Sequence, residues 1–455
     1  MIKYGQQIEI TIQKIITGGD GIGKYKNIVV MVPYSVPQDK LLVKIAEVKK
    51  NFARAKISKI ILPSPFRIIP VCSSHFSLLT SHCLYCGGCN FQMIKYEKQL
   101  DIKTKIVQDF FDIRVNETLP AENPFRYRNK IQIPIGGKTG NIIMGFFQPQ
   151  SHRIVDIKNC FLQTTEANKI IKEIRNLINE FRIQPYNENR HIGVLRHIVL
   201  RQSFVFNEFM IIFVTKTNSM PNTKEIISRI TKKFTNIVSV YQNINPHKTN
   251  VILGNKNYKL FGRNTIREKI GDIIFEISPA SFFQINTYQT LKLYELIKKI
   301  CHLKGDENII DIYCGCGGIT LYLGPYCQKI TGIEKVSSAI SDAVRNTRIN
   351  NIKNAVFICS NADYILKKTD FPKNSTVILD PPRTGCSAEV LKIILDLLPN
   401  KIIYVSCNPA ILSRDIKILS KKYQLSEIQP IDMFPQTAHI ECVAKLTQRT
   451  QRQTG

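Results

Sequence analysis

The chain has no long apolar run, few acidic residues and no even set of cysteines. No stretch reaches the roughly 18 apolar residues that a membrane-spanning helix needs. The first residues also lack the apolar core of a secretory signal. We therefore expect no membrane association and a cytoplasmic location, with an organelle matrix as the alternative.

Acidic residues are outnumbered, with 35 Asp and Glu against 63 Lys and Arg, a net charge of +28. Such an excess predicts a polyanionic partner, although charge alone does not separate nucleic acid from an anionic membrane. The 13 cysteines are an odd number for a disulfide framework. In a reducing compartment, metal binding or catalysis is the more typical use of cysteine clusters.

Three regions of different pattern divide the 455 residues. Residues 1–62 alternate polar and apolar positions between glycines and prolines, which predicts a small β-barrel, and their 11 basic and 4 acidic residues suit RNA binding. Residues 63–265 hold a cysteine-rich loop, a helix and then a mixed β domain with one further helix near 165–182. Residues 266–455 alternate strands with helices, which indicates an α/β domain with a mostly parallel sheet.

Two predicted strands of the last region end in reactive side chains. The strand 376–379 runs into Asp380, and the strand 401–405 runs into Ser406 and Cys407. Ligands in open α/β sheets bind outside the carboxyl ends of the strands. A nucleophile and an acid would thus share one crevice, which indicates covalent catalysis.

A glycine-rich turn follows another predicted strand, 308–312. It reads Cys-Gly-Cys-Gly-Gly over 314–318, with Asp311 before it and Glu334 at the end of the next strand. Glycines allow the backbone to approach a ligand closely, and Glu334 is placed to accept ribose hydroxyls. Because Asp311 suits a cationic amino-acid tail, the pattern favours S-adenosylmethionine, with NAD as the alternative.

A cluster of cysteines precedes the mixed β domain. Cys86 and Cys89 flank two glycines, Cys83 and Cys72 lie upstream, and Cys160 is distant in sequence. Four thiolates hold zinc or a [4Fe-4S] cluster. His75 and His82 leave a mixed Cys/His zinc site open, whereas the three-cysteine spacing of radical enzymes is not matched.

Together these motifs resemble the RNA 5-methyluridine methyltransferases, and the resemblance extends over nearly the whole chain. The barrel resembles the TRAM domain of the members that act on 23S rRNA, and the tRNA-specific bacterial branch lacks both that domain and the cysteine cluster. The resemblance rests on Cys-Gly-Gly-Cys at 86–89, Tyr-Arg-Asn-Lys at 127–130, Ser-Phe-Phe-Gln-Ile-Asn at 281–286, Asp-Pro-Pro-Arg at 380–383, Ser-Cys-Asn-Pro at 406–409 and His-Ile-Glu at 439–441.

The resemblance implies an α/β fold with a class I, Rossmann-like methyltransferase domain, an N-terminal OB-like TRAM barrel and a mixed β central domain. It implies that Cys407 is the nucleophile and Glu441 the general base. It also places Asn361 near the adenine. The residues that it assigns to S-adenosylmethionine are Gln284, Tyr313, Glu334 and Asp380.

For the cluster, the resemblance implies a [4Fe-4S] group rather than zinc. Cys86, Cys89 and Cys160 match three ligands. The fourth differs in spacing from the family, and Cys72 is favoured over Cys83 because its surroundings resemble those of the family.

Uracil C5 methylation explains why these groups occur together. A thiolate that adds to C6 makes C5 nucleophilic, and a carboxylate then removes the C5 proton. The target base must leave its stack, and Arg126, Arg128 and Lys130 are candidates for contacting phosphates. The most favoured substrate is 23S rRNA; the alternatives are tRNA, a non-catalytic RNA-binding or ribosome-assembly factor, and an NAD-dependent oxidoreductase.

Overall fold

Three β-sheet units and one hairpin form the protein. The computed structural model describes residues 2–75, 85–372 and 374–449. None of the helices in these ranges combines the length and the apolar character needed to cross a membrane.

The N-terminal unit is a six-stranded curved sheet in the order β1-β5-β6-β4-β3-β2. Alternation along β5 directs Leu41, Val43 and Ile45 into one buried core. Strand β3 crosses β1 so closely that a Cβ on Gly23 would lie 2.4 Å from the Thr11 carbonyl oxygen. The strands are β1 (Gln7–Thr11), β2 (Lys14–Ile15), β3 (Gly21–Tyr25), β4 (Ile28–Val32), β5 (Lys40–Val48) and β6 (Phe52–Leu62).

The central unit is a mixed seven-stranded sheet in the order β13-β12-β11-β10-β7-β8-β9, in which only the β11–β12 pair is parallel. It carries two helices, so the prediction of one helix was wrong; the missed α3 is amphipathic through Ile226, Ile227 and Ile230. The elements, with the preceding helix, are α1 (Tyr96–Gln108), β7 (Lys130–Lys138), β8 (Asn141–Phe147), β9 (Ile154–Asp156), α2 (Thr165–Glu180), β10 (Leu195–Gln202), β11 (Phe209–Thr215), α3 (Thr223–Lys233), β12 (Ile237–Ile244) and β13 (Lys256–Gly262).

Both faces of the central sheet are covered along its middle strands. Ile198 and Ile211 pack under α2 and α3. Val199 and Ile212, which point the other way, join the core of the C-terminal unit. Because side chains alternate along a strand, the same strands attach to both layers.

The C-terminal unit is a seven-stranded sheet in the order β18-β17-β16-β19-β20-β22-β21. The first five strands in this order, β18-β17-β16-β19-β20, are parallel, while β22 runs antiparallel to both of its neighbours. The predicted α/β fold is confirmed, and strands Asn308–Ile312 and Thr376–Leu379 match residue for residue. The elements are β14 (Ile266–Ile270), β15 (Ile273–Ile277), α4 (Thr287–Cys301), β16 (Asn308–Ile312), α5 (Gly318–Leu323), β17 (Lys329–Glu334), α6 (Ser337–Ile349), β18 (Ala355–Cys359), α7 (Ala362–Lys368), β19 (Thr376–Leu379), α8 (Ala388–Leu397), β20 (Lys401–Ser406), α9 (Pro409–Leu419), β21 (Tyr423–Ile431) and β22 (Glu441–Gln448).

Helix α1 lies within the predicted central domain but packs against the C-terminal unit. Its residues Ile102 and Ile106 belong to the same core cluster as strand β20. Its Lys103 Nζ lies 2.6 Å from Asp432 Oδ1, and both side chains are fully buried. The segment after β21 is therefore tied to α1, while the domain boundaries at 62 and 265 stay a prediction.

Candidate active site

The order of the strands gathers the predicted catalytic residues at one edge. Asp380 follows β19 and Cys407 follows β20. Strand β22 is antiparallel to β20, with Ser406 opposite Cys442, so Glu441 begins β22 at the edge where β20 ends. The strand order reverses between β16 and β19, and such a switch point is where open α/β sheets bind ligands.

A cavity of about 570 Å³ lies at this edge. The residues predicted for catalysis and for the cofactor, apart from Asn361, line it: Gln284, Tyr313, Glu334, Asp380, Cys407 and Glu441. Asn361 is exposed at the start of α7, and its contact with adenine stays a prediction.

One buried oxygen in this cavity has no partner among the described residues. Thr320 Oγ1 donates to Asp311 Oδ2 at 2.5 Å, whereas Asp311 Oδ1 is buried and accepts no hydrogen bond. Burial, opposed by Thr320 and reinforced by Glu334, raises the pKa of Asp311 to about 6. A cationic group bound here would satisfy this oxygen and favour the ionised carboxylate. The cavity therefore fits the ammonium group of S-adenosylmethionine.

The glycine-rich turn orients Glu334. The Gly315 N–H donates to Glu334 Oε2 at 3.3 Å, and the Val336 N–H donates to Oε1 at 3.0 Å. Gly317 has φ of 83°, and a Cβ there would lie 2.9 Å from the Phe357 ring. Glycine is thus required where the turn packs against the Phe357 side chain of β18.

Tyr313 and Gln284 are held by backbone contacts. Tyr313 adopts φ of 71°, a region that non-glycine residues seldom occupy, and its N–H donates to the Ile333 carbonyl at 2.9 Å. The Gln284 carbonyl accepts from Asn129 Nδ2 at 2.9 Å. A central-domain residue thus supports the cofactor cavity.

The turn after β20 places the nucleophile. Asn408 caps α9 by accepting from the Ala410 N–H at 3.1 Å, and Pro409 occupies the first helical turn. The Asn408 N–H in turn donates to Ser406 Oγ at 3.2 Å. These bonds fix the backbone on both sides of Cys407, whose side chain is partly exposed.

Burial and like charges disfavour ionisation of both catalytic groups. Burial raises the pKa of Cys407, and Glu441 adds to this, while Arg383 opposes it. Burial also raises the pKa of Glu441 well above its usual value, and Asp380 reinforces the shift. Burial and the nearby Asp311 raise the pKa of Asp380 to about 7. A bound cation would reverse part of these shifts.

A second cavity, of about 280 Å³, meets the first at Cys407. We call it the entry groove. All three units contribute to it: Thr17 and Gly18 of the barrel, Gly87 and Gly88 of the cysteine loop, and Cys407, Asn408 and His439 of the C-terminal unit. Cys407, the predicted nucleophile, therefore lies between the first cavity and a groove that is partly lined by the barrel.

Asn90 joins the three walls of the entry groove, and sequence reasoning missed it. Its Nδ2 donates to the Gly18 carbonyl at 3.1 Å. Its Oδ1 accepts from the Ala438 N–H at 2.8 Å, and its own N–H donates to the Gln436 carbonyl at 3.2 Å. The only signal in the sequence is its position directly after Cys89.

The cysteine loop forms a separate small cavity. Burial raises the pKa of Cys86 and of Cys89 to about 12, so thiolates at these positions need a compensating cation. Arg128 is buried and lines this cavity beside the thiols. A contact with an RNA phosphate would require an exposed side chain, so this part of the prediction does not fit the structure. The cysteines that line the cavity are Cys72, Cys86, Cys89 and Cys160.

Within residues 2–75, 85–372 and 374–449, no three His, Cys, Asp or Glu side chains are arranged to hold a metal ion. The four thiols thus share a cavity without forming a closed ligand set. Cys83 and His82, the alternatives from the sequence, lie outside the described residues.

Comparisons with known proteins agree with this arrangement. Residues 246–449 match the model of the tRNA (uracil-5-)-methyltransferase family, and residues 3–58 match the TRAM domain. An RNA methyltransferase of Clostridium tetani is 39% identical, over 98% of this chain and 97% of its own length. One of Clostridium acetobutylicum is 41% identical, over 97% of each chain.

A solved structure has the same architecture. The tRNA (uracil-54, C5)-methyltransferase of Pyrococcus abyssi, in complex with S-adenosyl-L-homocysteine, aligns with a TM-score of 0.79 and 31% identity, covering 96% of this chain and 99% of that one. The predicted class I methyltransferase domain and TRAM barrel are therefore confirmed. The chain belongs to the family of S-adenosylmethionine-dependent RNA uracil-C5 methyltransferases.

Proposed function

We propose that the protein methylates C5 of a uridine in 23S rRNA through a covalent bond between Cys407 and C6 of the uracil. The observation that carries this proposal is the position of Cys407, which lines both the cofactor cavity and the entry groove. A base that enters by the groove meets the thiol first, with the cofactor cavity behind it. Glu441, at the start of β22, lines the same cavity.

Each step then has a residue to perform it. Bound S-adenosylmethionine supplies an electrophilic methyl group. The Cys407 thiolate adds to C6, which places electron density on C5, and C5 bonds to the methyl carbon as the bond from that carbon to sulfur breaks. Glu441 removes the C5 proton, and the electron pair of that C–H bond expels the Cys407 thiolate and restores the ring.

Arg383 lies close enough to lower the pKa of both catalytic groups. It therefore favours the ionised forms that the first and last steps need. The positive charge of bound S-adenosylmethionine would likewise favour the ionised form of Asp380, which lines the cofactor cavity.

The barrel and the cysteine loop favour 23S rRNA, since the resemblance associates both features with the members that modify it. A tRNA substrate is the second candidate. It is favoured by the Pyrococcus abyssi enzyme, which acts on tRNA and aligns with 96% of this chain.

We further propose that Cys72, Cys86, Cys89 and Cys160 hold a [4Fe-4S] cluster, because their side chains surround one cavity. Protein purified without oxygen should contain iron and acid-labile sulfide. Cys89→Ser should lose both, whereas Cys359→Ser, at an exposed cysteine, should keep them. Zinc in place of iron would contradict the proposal.

Methylation is tested with labelled S-adenosylmethionine and total RNA from cells that lack the enzyme, followed by separation of the RNA by size. Label should enter 23S rRNA; label in the tRNA fraction would support the second candidate.

Cys407→Ala should abolish transfer and keep cofactor binding. Glu441→Gln should accumulate an RNA–protein adduct on a denaturing gel, because the C5 proton stays in place. Normal turnover in either variant would refute its assigned role.

A further inference from the structure

A cavity of about 770 Å³ lies on the central domain, away from the catalytic edge, and opens beside the ends of β7, β8 and β10. Its walls combine aromatic, amide and basic side chains. We call it the central-domain cavity, and none of the proposed steps uses it.

An aromatic pair forms one wall. The rings of Phe147 and His152 lie 5.3 Å apart at an interplanar angle of 29°, which is a stacked arrangement. His152 Nδ1 lies 2.9 Å from Glu188 Oε2, so the imidazole is held in place. Phe147 is 36% exposed although it is a large apolar side chain. A stacked ring pair with an open edge is a surface on which a planar group can lie.

A fixed guanidinium forms the opposite wall. The Arg196 group lies 4.5 Å from the centre of the Tyr186 ring. Its Nη1 donates to the carbonyls of Asn245 at 2.7 Å and His247 at 2.5 Å. These contacts hold the guanidinium rigidly, and Glu188 of the same cavity interacts with its charge.

Two nitrogen atoms of this wall lack partners among the described residues. They are Nε of Arg196 and Nδ1 of His197, and both are buried. The side chain of Gln132, which also lines the cavity, makes no hydrogen bond to any described residue. The two buried nitrogen atoms lie below the accessible surface, whereas the Gln132 amide lines the cavity and is available to a ligand there.

We propose that the central-domain cavity binds a second, unpaired nucleobase of the RNA substrate. The inference rests on the proposed function and specifies the substrate further. A base offers a planar face for the Phe147 wall and ring and exocyclic atoms for the Gln132 amide, which is how unpaired RNA bases are recognised. Glu188 beside the aromatic wall disfavours a phosphate at that position, whereas a neutral base is accepted there.

The cavity is connected to the entry groove by one short contact. The Gly87 N–H donates to the Phe147 carbonyl at 3.0 Å, and a Cβ on Gly87 would lie 3.0 Å from the same oxygen. Gly87 lines the groove that contains Cys407. Gly87 therefore adjoins both the entry groove and a residue that lines the central-domain cavity.

Crosslinking tests where RNA lies. The protein is irradiated at short wavelength with total RNA from cells that lack the enzyme, and crosslinked peptides are identified by mass spectrometry. We expect a crosslinked peptide containing Phe147. Crosslinks confined to the barrel and the catalytic edge would overturn the proposal.

Kinetics provide the second test. Phe147→Ala should raise KM for RNA roughly tenfold, the effect of losing one base–aromatic stack. The kcat at saturating RNA, the Kd for S-adenosylmethionine and Tm should stay unchanged, and Phe147→Tyr should restore KM. Tyr258→Ala, at a tyrosine 50% exposed on β13 of the same sheet, is the matched control.

The outcomes separate the two proposals. An unchanged KM in Phe147→Ala, with an active wild-type enzyme, overturns the second base site alone. An equal rise of KM in Tyr258→Ala also overturns it, because the effect would not be specific to the cavity. An inactive wild-type enzyme would refute the proposed function, while crosslinks at Phe147 would still support RNA binding in the cavity.

Discussion

The buried ion pair between Lys103 and Asp432 should be essential to the fold near the active site. Both side chains are fully buried, and Nζ lies 2.6 Å from Oδ1. The pair joins α1 to the segment that leads through Phe434 to Glu441. In the variant Lys103→Met, Asp432 keeps one donor, the Tyr96 hydroxyl at 2.8 Å.

The magnitude follows from the charge that is left behind. Removing one partner of a buried pair costs about 3–5 kcal/mol, because an uncompensated charge stays buried. The bond from Tyr96 is present in both proteins and keeps the carboxylate partly satisfied in the variant, so we place the loss at the lower end of this range. We therefore expect Lys103→Met to lower the free energy of unfolding by about 3 kcal/mol, measured by urea denaturation followed by circular dichroism.

Two control variants make the result interpretable. Lys105, on the same helix, pairs with Asp101 at 3.1 Å but is 68% exposed, so Lys105→Met should cost less than about 1 kcal/mol. The double variant Lys103→Met/Asp432→Asn removes both buried charges and should recover most of the loss. If Lys103→Met were no more harmful than Lys105→Met, or the double variant no better than the single one, the reasoning would be refuted.

Two further predictions concern the catalytic edge. Burial raises the pKa of Asp380 to about 7, above its unfolded value, so the ionised form destabilises the fold and stability should fall as pH rises from about 4 to 7. Without cofactor, Asp380→Asn should therefore have a higher Tm than the wild type near pH 8 and bind S-adenosylmethionine more weakly; an unchanged Tm would show that Asp380 is not destabilised by burial. Asn90→Ala removes side-chain bonds to Gly18 and Ala438 and should lower kcat roughly tenfold, about 1.4 kcal/mol in the barrier, with iron content unchanged. A normal kcat would show that the entry groove keeps its shape without Asn90.

Much of the catalytic fold could be predicted because its signals are local. Strands such as Asn308–Ile312 are short apolar runs bounded by turn residues. Helix α3 was missed although Ile226, Ile227 and Ile230 have helical spacing, since charged residues fill the rest of the segment. Lys103 was not predicted as a buried residue because lysine on a helix is normally exposed.

Residue types and motifs were sufficient to identify the family of S-adenosylmethionine-dependent RNA uracil-C5 methyltransferases. Cys407 lies between a strand and a capped helix, and the apolar residues before it and Asn408 and Pro409 after it predict this position from the sequence. Tyr313, Glu334 and Asp380, which are predicted to contact the cofactor, are likewise marked by their places at strand ends. Each of these features depends on a few neighbouring residues, so it can be read without knowing the fold.

Which residues from distant parts of the sequence lie side by side depends on the order of the strands in the sheet. Glu441 reaches the edge beside Cys407 only because β22 inserts antiparallel between β20 and β21. The bond from Gln99 to Gln436 joins residues 337 positions apart. Local periodicity carries no information about such contacts, because they arise from packing of complete elements, and the entry groove and the central-domain cavity are products of that packing.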